Sequence, residues 1–290
     1  SLSATKPGAV RKYAAAGGGS SSTLPDIDTY SHVRFDKINI NNFCNAYAVG
    51  ISPDGTKLYT LWREGNYSWP FQQQTLSTAF DISSHGTVTA SFDAQDDWYP
   101  TSNSPYAFRF VDNGSKLYFA RYDRQVKQYD LSTPWDITSR TFIRNDTVSN
   151  DRIGGFFWKP DGSIFFYTDY SQDKLYAKHV STPWNLGTVT TTDMSVDLSA
   201  AASLNEDLPF DVYFSNDGLK LYILGAGIDY VSQYNLSTAW DVTSFSGAAD
   251  KSLYVGSVES TPVGIEFSTD GTHMYIAGQN GDGIDQYVSS

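Results

Sequence analysis

The sequence predicts an all-β protein: a five-bladed β-propeller of four-stranded antiparallel blades, closed by an N-terminal strand that completes the last blade. Three observations lead there. A turn dipeptide recurs as Asp54-Gly55, Asn113-Gly114, Asp161-Gly162, Asp217-Gly218 and Asp270-Gly271, with successive glycines 59, 48, 56 and 53 residues apart, a period characteristic of internally repeated architectures. The octapeptide LSTPWDIT (Leu131 to Thr138) returns as LSTAFDIS from Leu76, VSTPWNLG from Val180 and LSTAWDVT from Leu236. Between these markers lie short segments rich in aromatic and β-branched residues, the composition of strands rather than helices.

Each unit reads in the same order. An apolar strand comes first (YAVGIS, YAFRFV, GFFWK, FDVYFS, VGIEFS), then the hairpin dipeptide, whose glycine (Gly55, Gly114, Gly162, Gly218, Gly271) accepts the positive φ of a tight turn. The second strand opens on an apolar pair three and four residues past that glycine: Leu58-Tyr59, Leu117-Tyr118, Phe165-Phe166, Leu221-Tyr222 and Met274-Tyr275. A third strand (VKQYDL, KLYAKHV, VSQYNL, IDQYVS) runs into the octapeptide, and a more polar Thr/Ser/Val-rich fourth strand closes the unit. The chain stops at QYVSS, where a fifth octapeptide would begin, so the last blade lacks its fourth strand. The alternating stretch HVRFDKINI, His32 to Ile40, stands just before the first blade and is expected to fill that place, leaving no open sheet edge. Residues 1–26, with a Gly/Ser run at 17–22 and Lys6, Arg11 and Lys12, read as a flexible arm that tethers the propeller at 27–290 to a larger assembly.

Composition narrows the partners. A net charge of -12 repels nucleic acid phosphate and anionic membrane surfaces. No apolar run reaches the roughly 18 residues of a membrane helix, and Ser1 opens no basic-then-apolar leader. The single Cys44 forms no internal disulfide, so packing alone must hold the fold.

Strand alternation places the dipeptide hairpins and the octapeptide turns on one face. That face is uniform, and Phe80, Trp135, Trp184 and Trp240 are read as structural residues filling the wedge between blades, in preference to one sugar-stacking pocket per blade. The opposite face carries loops of unequal length, including WREGNYSWPF and FDAQDDWYPTSNS. Recognition is usually built on such loops. The candidate ligand-binding residues are therefore Trp62, Tyr67, Trp69, Asp96, Asp97, Trp98 and Tyr99, a mixture of aromatics and carboxylates that suits a glycan or a protein epitope.

Catalytic patterns are weak. The innermost strands carry Asp211 and Glu266, which could serve a glycoside hydrolase, but the corresponding positions elsewhere are Ala48 or Gly50, Ala107 or Arg109, and Gly155 or Phe157. Two acids lining a wet channel are the ordinary reading. His32, His85, His179 and His273 have no zinc spacing, and no nucleophile elbow or phosphate loop is present. No cofactor and no metal are expected; calcium at Gln279 to Asp285 or Arg144 to Asp151 is the weaker alternative, since neither stretch has the EF-hand spacing.

The combination DG-x-KLY with QYDLSTPWDIT resembles propeller repeats of marine bacteriophage structural proteins and of some secreted bacterial proteins, over residues 27–290. The resemblance implies a non-catalytic, extracellular, particle- or surface-associated module. The expectation is a virion or surface structural protein, a phage tail or capsid decoration or adhesion module, whose arm docks to assembly proteins and whose variable loops meet a host glycan or protein. A secreted sugar-binding lectin is the first alternative and a glycoside hydrolase the second.

Overall fold

The computed structural model describes residues 24–36, 44–65, 68–96, 104–148, 152–201, 208–245, 247–280 and 283–290. Its strands form five four-stranded antiparallel sheets arranged as the blades of a propeller. The first blade holds β2 (Cys44–Ile51), β3 (Lys57–Glu64), β4 (Pro70–Leu76) and β5 (His85–Asp93). The second holds β6 (Pro105–Val111), β7 (Lys116–Arg121), β8 (Gln125–Leu131) and β9 (Arg140–Thr147). The third comprises β10 (Ile153–Trp158), β11 (Ile164–Asp169), β12 (Lys174–Val180) and β13 (Val189–Asp197); the fourth comprises β14 (Pro209–Phe214), β15 (Lys220–Gly225), β16 (Tyr230–Asn235) and β17 (Lys251–Tyr254). The innermost strands β2, β6, β10 and β14 follow one another around the axis, each beside the next.

The last blade is assembled from both ends of the sequence. Its order is β1 (Tyr30–Asp36), β20 (Gly283–Ser289), β19 (His273–Gly278) and β18 (Pro262–Phe267). β1 pairs antiparallel with β20 from Tyr30 opposite Ser289 to Asp36 opposite Ile284. The closing strand expected at His32 to Ile40 thus begins two residues earlier, and the part beyond Asp36 lies outside the described residues. The leading segment also supplies the turn. Leu24 and Pro25 lie over Gly271 as the octapeptide aromatics lie over their glycines, and Ile27 sits where the other turns place Ile82 and Ile137. Leu24 is buried and Asp26 is ion-paired with Lys220 and Lys251, so residues 24–26, read from the sequence as part of the arm, pack on the ring. Residues 1–23 of the expected arm lie outside the described residues.

The repeated turn binds itself and its neighbour. Asp81, Asp136, Asn185 and Asp241 accept the backbone N–H two residues on, and Ser84, Ser139, Thr188 and Ser244 accept the N–H of the turn threonine. These side chains satisfy backbone groups that a short turn leaves free. The aromatic follows with φ of 62 to 66°, donates its backbone N–H to the hairpin glycine's carbonyl and lays its ring on that glycine. Between blades, the hydroxyls of Tyr59, Tyr118, Tyr275 and Tyr222 donate to the carbonyls of Trp135, Trp184, Phe80 and Pro25, at 2.5, 2.5, 2.7 and 3.2 Å. At the remaining junction, between the third and fourth blades, the tyrosine position is Phe166, which has no hydroxyl to give.

This stacking explains why the dipeptide must end in glycine. At Gly218 (φ +70°) a Cβ would stand 2.2 Å from Trp240. Gly218→Ala is expected to cost about 2 to 4 kcal/mol, from the left-handed backbone and the overpacked ring together. Urea denaturation reads it. Since Trp240→Ala removes the clash, the double variant should lose clearly less than the sum of the two single losses; strict additivity would show that the indole does not press on this glycine.

Candidate functional site

Each innermost strand is kinked near its start by a register shift, between Ala46 and Ala48, Pro105 and Ala107, Ile153 and Phe156, Pro209 and Asp211, and Pro262 and Gly264. A β-bulge re-aims the residue it contains. The residues caught in these shifts are Tyr47, Tyr106, Gly154 with Gly155, Phe210 and Val263, all at the variable-loop end of the central channel.

Tyr106 is the centre of the resulting aromatic cap. Its ring centroid lies 5.0 Å from Tyr47, 5.7 Å from Tyr122, 6.2 Å from Phe210 and 6.3 Å from Tyr170. Four blades therefore meet on one side chain, with Tyr122 and Tyr170 reaching in from the turns after β7 and β11. Tyr170 and Phe210 stack at 4.9 Å. Arg152, which is exposed, holds its guanidinium 5.6 Å from the Tyr122 ring and 5.9 Å from Tyr170. Burial raises the Tyr47, Tyr106 and Tyr170 hydroxyls above the usual phenol range, so all three are neutral donors at physiological pH.

The candidates read from the sequence fare unequally at this mouth. Trp69 belongs to it, 4.6 Å from Tyr47 and 6.4 Å from Tyr106, but is buried at 1% exposure instead of being displayed. Trp62 is also buried, on the other side of the first blade, where its indole donates to Thr60 and packs with Ala46 and Ile284. Both corrections have one cause: the stretch read as a long loop is the end of a hairpin in which Glu64 still bridges to Ser68. Asp96 is exposed, and its backbone carbonyl accepts from the buried Lys127. Tyr67, Asp97, Trp98 and Tyr99 lie outside the described residues. Tyr47, Tyr106, Tyr122, Tyr170, Phe210 and Arg152 were missed. Proline directly before Tyr106, Phe210 and Val263, at the same point of three units, was the available signal.

Beneath the cap the channel is filled. One tier holds Ala48, Ala107, Gly155, Gly264 and Asp211; the next holds Gly50, Arg109, Phe157, Tyr213 and Glu266. Arg109 joins the two. Its Nη1 donates to Glu266 at 2.6 Å, its Nη2 to Asp211 at 3.2 Å and to the Val212 and Ile265 carbonyls at 3.1 Å, and its Nε to the Phe156 carbonyl at 2.7 Å. Asp211 also accepts the Ile265 and Val212 backbone N–H groups at 2.9 and 2.8 Å. Gly155 leaves room for this carboxylate, since a Cβ there would stand 2.1 Å from its Oδ1. Asp211 and Glu266 are thus not two acids in a wet channel; both are held by one buried guanidinium. Burial raises Glu266 to about 7 against the opposing pull of Arg109. Burial alone would lower Arg109, but the two carboxylates outweigh it and leave its pKa raised.

At the uniform-turn end the channel opens into a cavity of about 240 Å3. Its floor is Arg109, Tyr213 and Glu266, its walls include Phe157, Trp135 and Trp184, and its rim is formed by hairpin residues such as Asp112. Among the described residues no group of three or more His, Cys, Asp or Glu side chains is placed to hold a metal ion. No helix of the described residues is long and apolar enough to cross a membrane.

No family model and no curated protein matches the chain. It is similar to solved structures of a functionally unknown protein from Desulfotomaculum acetoxidans DSM 771 (11% identity, 82% of this chain and 64% of that one, TM-score 0.46). It is also similar to a candidate 6-phosphogluconolactonase from Bacteroides uniformis ATCC 8492 (13%, 84% and 67%, TM-score 0.45) and to Sqt1 of Chaetomium thermophilum (14%, 84% and 58%, TM-score 0.46). The chain spans less than two thirds of the first and third of these proteins, and no activity is carried over from any of the three.

Proposed function

We propose that the protein is a non-enzymatic structural and recognition module of a virion or cell surface, extracellular, whose variable face binds a glycan or a protein of the host surface. The observation that carries the recognition half is the aromatic cap: bulged residues of several blades and two turn tyrosines converge on Tyr106 beside an exposed arginine. Aromatic faces take the apolar faces of sugars or anchor residues of a partner, while Arg152 and the neutral tyrosine hydroxyls donate hydrogen bonds. The non-catalytic half is supported by Arg109, which engages both carboxylates that a hydrolase would need as acid and base. The assembly role rests on the repeat resemblance and on topology, because Leu24 and Pro25 lie against the hairpin glycine Gly271 on the uniform-turn face.

An array of bacterial surface glycans, with intact host cells beside it, tests the reading. Arg152→Ala and Tyr122→Ala should each weaken binding at least tenfold without lowering the melting temperature, a loss of the size seen at interface hot spots. Retained binding in both variants would remove the cap as the site. Absence of binding to glycans and cells by the unaltered protein would leave a purely architectural role, and hydrolysis of an arrayed glycan would overturn the non-enzymatic reading.

A further inference from the structure

The cavity at the uniform-turn end belongs to the opposite mouth from the proposed recognition face and is independent of it. Three charged groups lie at or directly beneath its floor. Arg109 brings one positive charge and is committed to Asp211, Glu266 and three backbone carbonyls. Asp211 and Glu266 bring two negative charges, so the floor carries one net negative charge when Glu266 is ionised. The Asp211 carboxylate is 5% exposed and bonded on both oxygens, whereas the Glu266 side chain is 17% exposed and lines the cavity. One Glu266 oxygen takes the Arg109 bond at 2.6 Å; the other has, among the described residues, a single long contact, 3.5 Å, to the Tyr213 hydroxyl. Tyr213 stands beside this carboxylate, Phe157, Trp135 and Trp184 line the same cavity, and Asp112 adds a further negative charge at the rim.

We propose that this cavity binds a small organic cation, an ammonium group carried on an apolar body, with Glu266 as its counter-ion. A carboxylate at the bottom of an aromatic pocket offers charge pairing and ring faces to the same group. The volume, below the roughly 300–1,000 Å3 of pockets that take drug-sized ligands, admits one small molecule and no polymer. The groups facing Glu266 are Arg109, Asp211 and Tyr213, with Tyr275 behind it on β19. Burial brings Glu266 to about 7; Asp211 is raised by burial as well but is held by Arg109 and two backbone N–H groups and does not line the cavity. Binding a cation requires Glu266 ionised, so affinity rises as pH rises through about 7, and a cation bound near that pH expels a proton.

The test is calorimetric titration of the full chain with benzyltrimethylammonium chloride and with its neutral isostere neopentylbenzene solubilised in the same cosolvent, tryptophan fluorescence serving as a second readout. The ammonium should bind saturably at pH 8, at least tenfold tighter than the neutral compound, and about tenfold more weakly at pH 6, following the ionised fraction of one carboxyl. At pH 7, titration in two buffers of different ionisation enthalpy should show proton release on the unaltered protein, a readout that needs no variant. Glu266→Gln, which keeps an oxygen for Arg109, should lose both the tenfold cation preference and the pH dependence. No saturable binding, equal affinity for the isostere, a pH-independent affinity, or full cation affinity in a folded Glu266→Gln protein would each overturn the proposal.

Discussion

Removing residues 1–36 is expected to abolish the folded ring, while removing 1–23 leaves it intact. The longer deletion strips β1 from β20 and exposes an unpaired strand edge along its length. It also removes Leu24, Ile27 and Tyr30, each at most 3% exposed in a cluster with Met274, Phe267 and Tyr222. Burial of each such side chain is worth about 1.5 to 3 kcal/mol, and together with the lost ladder they approach the whole stability of an ordinary domain, about 5 to 15 kcal/mol. The ion pairs of Asp26 with Lys220 and Lys251, and the bond from the Ile27 N–H to Gln233, tie the same segment to the fourth blade. Thermal denaturation by circular dichroism and size-exclusion chromatography give the result. Cooperative unfolding of a monomeric 37–290 fragment would show that the closing strand is dispensable. If the leading residues tether the ring to an assembly, the protein lacking 1–23 folds normally and fails to join the particle.

Arg109→Met is expected to destabilise the ring by about 3 to 5 kcal/mol at pH 8, the cost of leaving buried carboxylates without their cation. The effect should shrink at pH 5, because Asp211 and Glu266 then discharge the site by taking up protons. The sign in the unaltered protein runs the same way. Glu266 titrates at about 7 in the folded state, above the ordinary glutamate value near 4.3, so the native state holds more protons than the unfolded one between those pH values. Its share of stability is whole below the lower value and is lost as pH rises through the upper one. Adding Asp211→Asn and Glu266→Gln to Arg109→Met should recover part of the loss and flatten the pH dependence. Urea midpoints at pH 5 and pH 8 for the three proteins decide it; equal losses at both would mean that the carboxylates are not what the guanidinium neutralises.

Much of the architecture was legible because each repeat must solve the same local problem. The hairpin glycines mark positive φ, the Leu-Tyr pairs mark strand alternation, and the missing fourth strand after QYVSS demanded a donor. The leading turn was harder to see because Pro25 takes the place of the aromatic, so Leu24 to Thr29 no longer spells the octapeptide although it occupies the same position in the last blade. The recognition face was legible only in outline. Loop length suggested Trp62 and Trp69, yet both are held inside by a hairpin that the Gly65 turn extends. The cap comes from Tyr106 and Phe210, residues far apart in sequence whose convergence depends on bulges marked in the sequence only by the proline before each. Arg109 was likewise visible only as one of two alternatives at its position, since its meaning comes from partners 102 and 157 residues away.

The pairing of Tyr30 with Ser289 sets a temporal constraint on biogenesis. During vectorial synthesis four sheets emerge complete while the fifth waits, so from β1 until β20 emerges the nascent polypeptide is an open arc with two unsatisfied margins. Such long-range closure is slow, and exposed margins invite association with neighbouring nascent chains. Slowing the ribosome over the codons of β20, or crowding polysomes, should therefore raise the yield of strand-exchanged multimers more than substitutions within any single sheet.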